Sequence, residues 1–151
     1  MMVNDFIYYY EKGFRANKFG IPAGVWSGTL PENVEAYYKG DISKQLALQA
    51  MESVQKFFIG TAFNNTYSGA SLHDYLTHLE SEVLADEIIV ALENAEASIN
   101  TLNESFATQV ENENAQMLEV YDDIQAGVVR LKTNMLYTLN ISVDYVDSDG
   151  D

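Results

Sequence analysis

An all-α chain, folded as an antiparallel helical bundle, is the expectation that two observations create. Apolar residues recur at helical spacing through most of the 151 residues, and no stretch alternates with period two. The last long segment is the clearest. Phe106, Val110, Met117, Tyr121, Ile124, Val128, Leu131 and Met135 recur mostly in fours and threes. From Met117 to Met135 the steps are 4, 3, 4, 3 and 4, which is the seam of a bundle or coiled coil. The segment before it repeats the pattern with Leu84, Ile88, Leu92, Ala95, Ile99 and Leu102. The two form an antiparallel pair, reversing near Asn103-Glu104-Ser105 or in the Asn-rich stretch Asn112 to Asn114. A third helix reads from Asp41 as N-cap through Leu46, Ala50, Val54, Phe57 and Phe58 to a stop at Gly60.

The N-terminal third has a different texture. Asn4 to Lys18 reads as an aromatic-rich helix with Phe6, Ile7, Tyr10 and Phe14 on one side and Gly20 as its stop. The run Gly20-Ile21-Pro22-Ala23-Gly24-Val25-Trp26-Ser27-Gly28 is rich in glycine yet apolar. A loop of that composition is tucked against the bundle or against a partner. Pro31 opens a short helix to Tyr38, stopped by Gly40. A loop from Thr61 to Ser71 precedes a further helix from about Leu72 to Val83, and an acidic tail closes the chain from Asp144. The sum is four main helices with short helices and an apolar Gly/Pro-rich loop, in one domain spanning 1–151.

Composition excludes several functions. With 23 Asp+Glu against 8 Lys+Arg the formal net charge is −15, the opposite of what a phosphate backbone or an anionic lipid surface recruits. The absence of cysteine removes disulfides, thiolate metal sites and a thiol nucleophile. The start Met1-Met2-Val3-Asn4-Asp5-Phe6 has no basic n-region or apolar h-region of a signal peptide. No apolar run approaches the roughly 20 residues that span a bilayer. Neither nucleic-acid binding nor direct membrane insertion is expected.

The two histidines, His73 and His78, are the first candidates for chemistry. On a helix they point about 140° apart and cannot share a ligand. Asp74, His78 and Glu82 fall on one line at i, i+4 and i+8, which is the arrangement of a metal face. Leu72, Tyr75, Leu76, Leu79 and Val83 define the opposite, buried side, so the line reads as a solvated face and His73 as a boundary residue. No H-E-x-x-H is present, and Ala70 and Tyr75 stand three residues before the histidines, where a di-iron bundle carries Glu. The tail Asp147-Ser148-Asp149-Gly150-Asp151 begins like a calcium loop without its distal Glu. There is no G-x-S-x-G elbow, and acid pairs such as Glu111/Glu113 or Asp122/Asp123 carry no weight among 23 acids.

The aromatic clusters say more. Consecutive tyrosines on a helix cannot all face one core, so some of Tyr8-Tyr9-Tyr10 and of Tyr37-Tyr38 face solvent, a ligand or another domain. With Trp26 they mark Tyr8, Tyr9, Trp26, Tyr37 and Tyr38 as candidate interface residues, the alternative being ordinary boundary packing.

Three stretches carry a family resemblance: Glu11-Lys12-Gly13 with Ala16-Asn17-Lys18-Phe19-Gly20-Ile21-Pro22-Ala23-Gly24, then Leu30-Pro31-Glu32-Asn33-Val34-Glu35-Ala36-Tyr37-Tyr38-Lys39-Gly40-Asp41, and the ending Met117-Leu118-Glu119-Val120-Tyr121 with Ile141-Ser142-Val143-Asp144-Tyr145-Val146-Asp147. Together they resemble the C-terminal half of imelysin-like proteins, relatives of the insulin-cleaving membrane protease of bacterial cell envelopes. The resemblance implies two helical-bundle halves in tandem, a periplasmic or outer-membrane-associated lipoprotein, and a part in iron uptake. The family's Gly-x-His-x-x-Glu signature, a metal or catalytic site, belongs to the other half. Here Gly69 is followed two residues later by Ser71, so no residue carries over as a ligand. Iron or another divalent cation would enter only through the full-length family site. Three functions follow as expectations: a non-catalytic half acting by binding or structural support, a metallopeptidase completed by the missing half, or an interaction module that uses its aromatics. The expected partner is that N-terminal half or a second copy of the chain.

Overall fold

The computed structural model describes residues 2–145; the acidic tail from Asp147 lies outside them. Among the described residues five helices form the expected all-α bundle. Helix α1 is a continuous run of Met2–Tyr8, Tyr9–Gly20 and Ile21–Ala23. Ser43–Ile59 forms α2, Leu72–His78 α3 and Glu82–Asn100 α4. Helix α5 comprises Phe106–Val129, Arg130–Met135 and Leu136–Thr138. The long helices follow one another round a ring, α1 against α5, α5 against α4, α4 against α2 and α2 back to α1, while α3 packs on α2 and α4. Each neighbouring pair runs antiparallel: Glu11–Lys132 with Arg15–Tyr121 sets α1 against α5, and Lys44–Leu102 with Gln55–Glu96 sets α2 against α4. Helices α4 and α5 form a hairpin, and closing the ring leaves α2 antiparallel to α1 where Phe6 meets Phe57. Every residue of the predicted α5 seam is buried. The α4–α5 reversal occurs at 101–105, the first of the two candidate places. Ser105 there caps α5 by accepting the Thr108 N–H. The second candidate is a kink at Glu113 inside α5, where the Gln109 amide donates to the Glu113 carbonyl and takes it out of the helical ladder.

Helix α1 is wound wider than an α-helix. Its buried residues step in fours, Ile7, Glu11, Arg15, Phe19 and Ala23 in one row and Phe6, Tyr10 and Phe14 in another. On an α-helix a four-residue step precesses by about 40°, so a five-member row would rotate off the core. Tyr9–Gly20 is π-helical, and the Ile21 N–H donates five residues back to Ala16. The wider turn keeps the row facing inward. A π-helical Arg130–Met135, with the Leu136 N–H on the Leu131 carbonyl, does the same at the end of α5.

Six local expectations change. The stop of α1 is Gly24 at φ 80°, not Gly20. Gly20 is helical, and a Cβ on it would lie 2.9 Å from the Trp26 ring, so its smallness serves packing. The apolar loop is tucked in at Gly20, Pro22 and Ala23, whereas Val25 and Trp26 are exposed. No helix spans Pro31 to Tyr38: two short 3₁₀ turns, Pro31–Asn33 and Tyr37–Ile42, flank Ala36 at φ 57°, and Gly40 lies inside the second. Asp41 does not cap α2. The buried Ser43 ties that corner down instead, its hydroxyl within 3.0 Å of the Gly40 carbonyl while accepting the Phe106 N–H at 2.8 Å. The inner face of α2 is Ser43, Ala47, Met51, Val54 and Phe58, one residue round from the expected one, which leaves Phe57 exposed. Finally, the segment from Leu72 does not reach Val83 as one helix. Glu80 adopts φ 59°, and the Glu80 and Ser81 N–H groups close α3 on the Thr77 and Leu76 carbonyls. Tyr75, Leu79 and Val83 are therefore exposed, not buried.

Candidate functional site

The break at Glu80 decides the fate of the candidate metal line. Asp74 and His78 lie on α3 and Glu82 opens α4, so the three no longer share a helix face. All three are exposed. Asp74 is held locally: its carboxylate accepts the Ser71 hydroxyl and its N–H donates back to the same oxygen. His73 leans on the Phe58 ring and lies 3.4 Å from Asp86. Among the described residues no three His, Asp or Glu side chains converge where they could hold a metal ion.

The five aromatics marked in the sequence all face outward, and α1 explains why. Its rows of four consume Tyr10 and leave Tyr8 and Tyr9 on the far side. Tyr9 lies across Gly13, where a Cβ would sit 2.9 Å from the ring. On one flank Tyr9 joins Met2, Asp5, Phe6, Val54 and Phe57 around an apolar groove of about 520 Å³ between α1 and α2. Partial burial there, and then the Glu35 charge, raise the Tyr9 phenol above its usual pKa. On the other flank, Tyr8 and Trp26 wall a second cleft of about 430 Å³ over Lys12, Gly13 and Asn17. Tyr37 and Tyr38 stand apart from both cavities and pack edge-on against each other, with Tyr38 98% exposed.

Beneath the aromatics α1 carries two buried charges that the sequence did not single out. Arg15 donates from Nε to the Tyr121 carbonyl at 3.0 Å and lies 3.6 Å above the Tyr121 ring, a cation–π stack inside the bundle. Glu11 accepts from Lys132 Nζ at 3.0 Å and from the Tyr145 hydroxyl at 2.8 Å, with Lys12 Nζ 3.6 Å away. A carboxylate so deep is tolerable only when paired and hydrogen-bonded. Membership of the four-residue row Ile7, Glu11, Arg15 was the available signal for both. Tyr10, the residue before Glu11, donates to the Ile124 carbonyl, and burial raises its phenol well above the usual range, partly offset by Arg15.

No protein-family model, curated protein or solved structure matches this chain. The functional reading therefore rests on the sequence and on this geometry. What the arrangement offers is binding surface: a rigid helix, anchored by its buried charges, whose outward side carries aromatic rings and two flanking cavities.

Proposed function

We propose that the chain is a binding half of an imelysin-like cell-envelope protein, serving iron uptake by carrying a partner surface and performing no reaction of its own. The observation that supports this reading is the outward side of α1. Tyr9 and Met2 stand 42% and 61% exposed beside an apolar groove that Phe57 of α2, 43% exposed, completes, and aromatic and methionine side chains are what protein interfaces are enriched in. The resemblance names the occupant as the N-terminal half of the family fold. Helices of a second bundle would lie along that groove, with the rings as anchors. The net charge of −15 disfavours pairing of two copies through the same face.

The test is to mix the purified chain with a separately expressed N-terminal half of an imelysin-like protein and follow sedimentation. A one-to-one complex is expected, weakened at least tenfold by Tyr9→Ser combined with Phe57→Ser. Absence of a complex, or a complex indifferent to that pair, rejects the reading. Calorimetric titration of the chelator-treated chain with Fe2+, Fe3+, Zn2+ and Ca2+ gives a second arm. Only weak, salt-sensitive heats are expected. Tight stoichiometric binding abolished by changing His73 or His78 would make the chain a metal carrier in its own right.

A further inference from the structure

We infer that the cleft between Tyr8 and Trp26 is a subsite for a neutral oligosaccharide of about two sugar units. This goes beyond the partner-half reading and does not rest on it. The cleft has the size of small-ligand sites, about 430 Å³, within the roughly 300–1,000 Å³ such sites occupy. Its walls are aromatic, and both rings are fixed in place. Trp26 packs edge-on against Tyr121 at 6.0 Å, and Tyr121 is itself clamped by Arg15. Tyr8 packs edge-on against Tyr145 at 5.2 Å. Each nevertheless remains 48% exposed, so ring surface is left over for a ligand.

The backbone beneath Trp26 is equally fixed. Gly24 at φ 80° lets the Val25 N–H close on the Gly20 carbonyl, and the Leu30 N–H returns to Pro22. The loop that presents the indole is thus locked at both ends.

The floor supplies what a sugar needs besides a ring. The exposed Asn17 amide offers both donor and acceptor, and Lys12 lines the cleft beside it. Pyranose rings present an apolar C–H face to an aromatic surface while their hydroxyls reach flanking polar groups, the division of labour that amphipathic aromatic sites support. Charge selects the class. The chain's −15 repels polyanionic glycans. A cation, the other ligand that aromatic rings attract, meets the Lys12 ammonium at the cleft. A neutral, polyhydroxylated ligand satisfies both conditions.

The chain contains a single tryptophan, so its emission reports this cleft alone. The intact chain is titrated with cellobiose, maltose and N,N′-diacetylchitobiose up to about 50 mM, with choline chloride as the cationic control. At least one disaccharide is expected to shift the emission saturably, with Kd on the order of 1 mM as suits a shallow site. Tyr8→Ala should weaken that binding at least fivefold, and Trp26→Ala should abolish sugar saturation-transfer signals in NMR. Asn17→Ala, at an exposed position, provides the variant that keeps the fold if Tyr8→Ala does not. No saturable response to any of the three sugars, a response unchanged in both Tyr8→Ala and Asn17→Ala, or choline binding tighter than the sugars would each overturn the inference. Because the chain is titrated alone, such a failure leaves the partner-half reading to its own sedimentation test.

Discussion

Helices α1 and α5 pack against each other over most of their lengths, yet they divide their residues differently. The outward side of α5 is what a solvated helix should be, with Glu111, Glu113, Glu119, Asp122 and Asp123 all exposed. The outward side of α1 carries Met2, Tyr8 and Tyr9, while Glu11 and Arg15 lie inside. Burial of apolar surface and solvation of charge account for α5 between Met117 and Val128; its exceptions are the buried Gln109 near one end and the exposed Val129 and Tyr137 near the other. Along α1 the same rules are broken in both directions. Charged residues that must be paired in the interior and rings left in water contribute nothing to folding that an ordinary amphipathic helix would not supply. The proposed partner surface on α1 accounts for this difference, whereas the seam of α5 needs only the bundle.

Substitutions can break this contrast. The largest expected effect is Phe14→Ala, which empties a fully buried site on α1 and should destabilise by about 3–5 kcal/mol in chemical denaturation. Tyr8→Ala and Trp26→Ala, on the outward side, should stay within about 0.5 kcal/mol; a loss near that of Phe14→Ala would show the exposed rings to be structural. Next is Gly127→Ala on α5. A Cβ there runs into the Tyr10 ring at 2.9 Å, and overpacking of this kind costs about 1–3 kcal/mol, so a thermal melt unchanged from the parent would mean that α1 can yield.

The pH dependence comes third. Burial holds the Tyr10 phenol above its unfolded value of 10.0. The folded state therefore keeps its proton where the unfolded state has lost it, and the stability this contributes is full below pH 10 and declines as pH rises beyond. Tyr10→Phe should flatten that alkaline decline and lose about 1 kcal/mol at neutral pH with the hydrogen bond to Ile124; equal alkaline slopes in the two proteins would assign the decline elsewhere. The smallest effect is a gain. Glu80 at φ 59° occupies a conformation suited to glycine, and Glu80→Gly should stabilise by about 0.5–1 kcal/mol, with a lowered midpoint as the contrary result.

The same contrast explains what could be read from the sequence. Along α5 the steps of four and three from Met117 to Met135 allow one inward face, so that seam came out residue for residue. In α2, Leu46, Ala47 and Leu48, and again Phe57 and Phe58, offer two adjacent apolar faces, and packing against α4 chose the one through Ala47, Met51 and Phe58. The end of α3 carries no glycine, asparagine or proline to announce it, since Glu80 takes the left-handed position unaided. The exposed rings were legible because three successive tyrosines cannot share a core. The Glu11–Lys132 pair was not, because a partner 121 residues away leaves no local trace.

The segment after α5 returns to the beginning of the chain. Asn4 donates to the Ser142 carbonyl across 138 residues and Tyr145 reaches Glu11 across 134. Bringing together positions so distant in sequence carries nearly the full loop-closure entropy of the chain, whereas the α4–α5 hairpin closes over a handful of residues. Folding that starts in the hairpin gathers α2 and α1 onto it and fastens this clasp at the end. Native-state hydrogen exchange should show the reverse order on opening, with the amides of 139–145 exchanging first and those of α5 between Met117 and Leu131 last. Helix α1 and the segment after α5 are tied together, and the tie lies beside Tyr8.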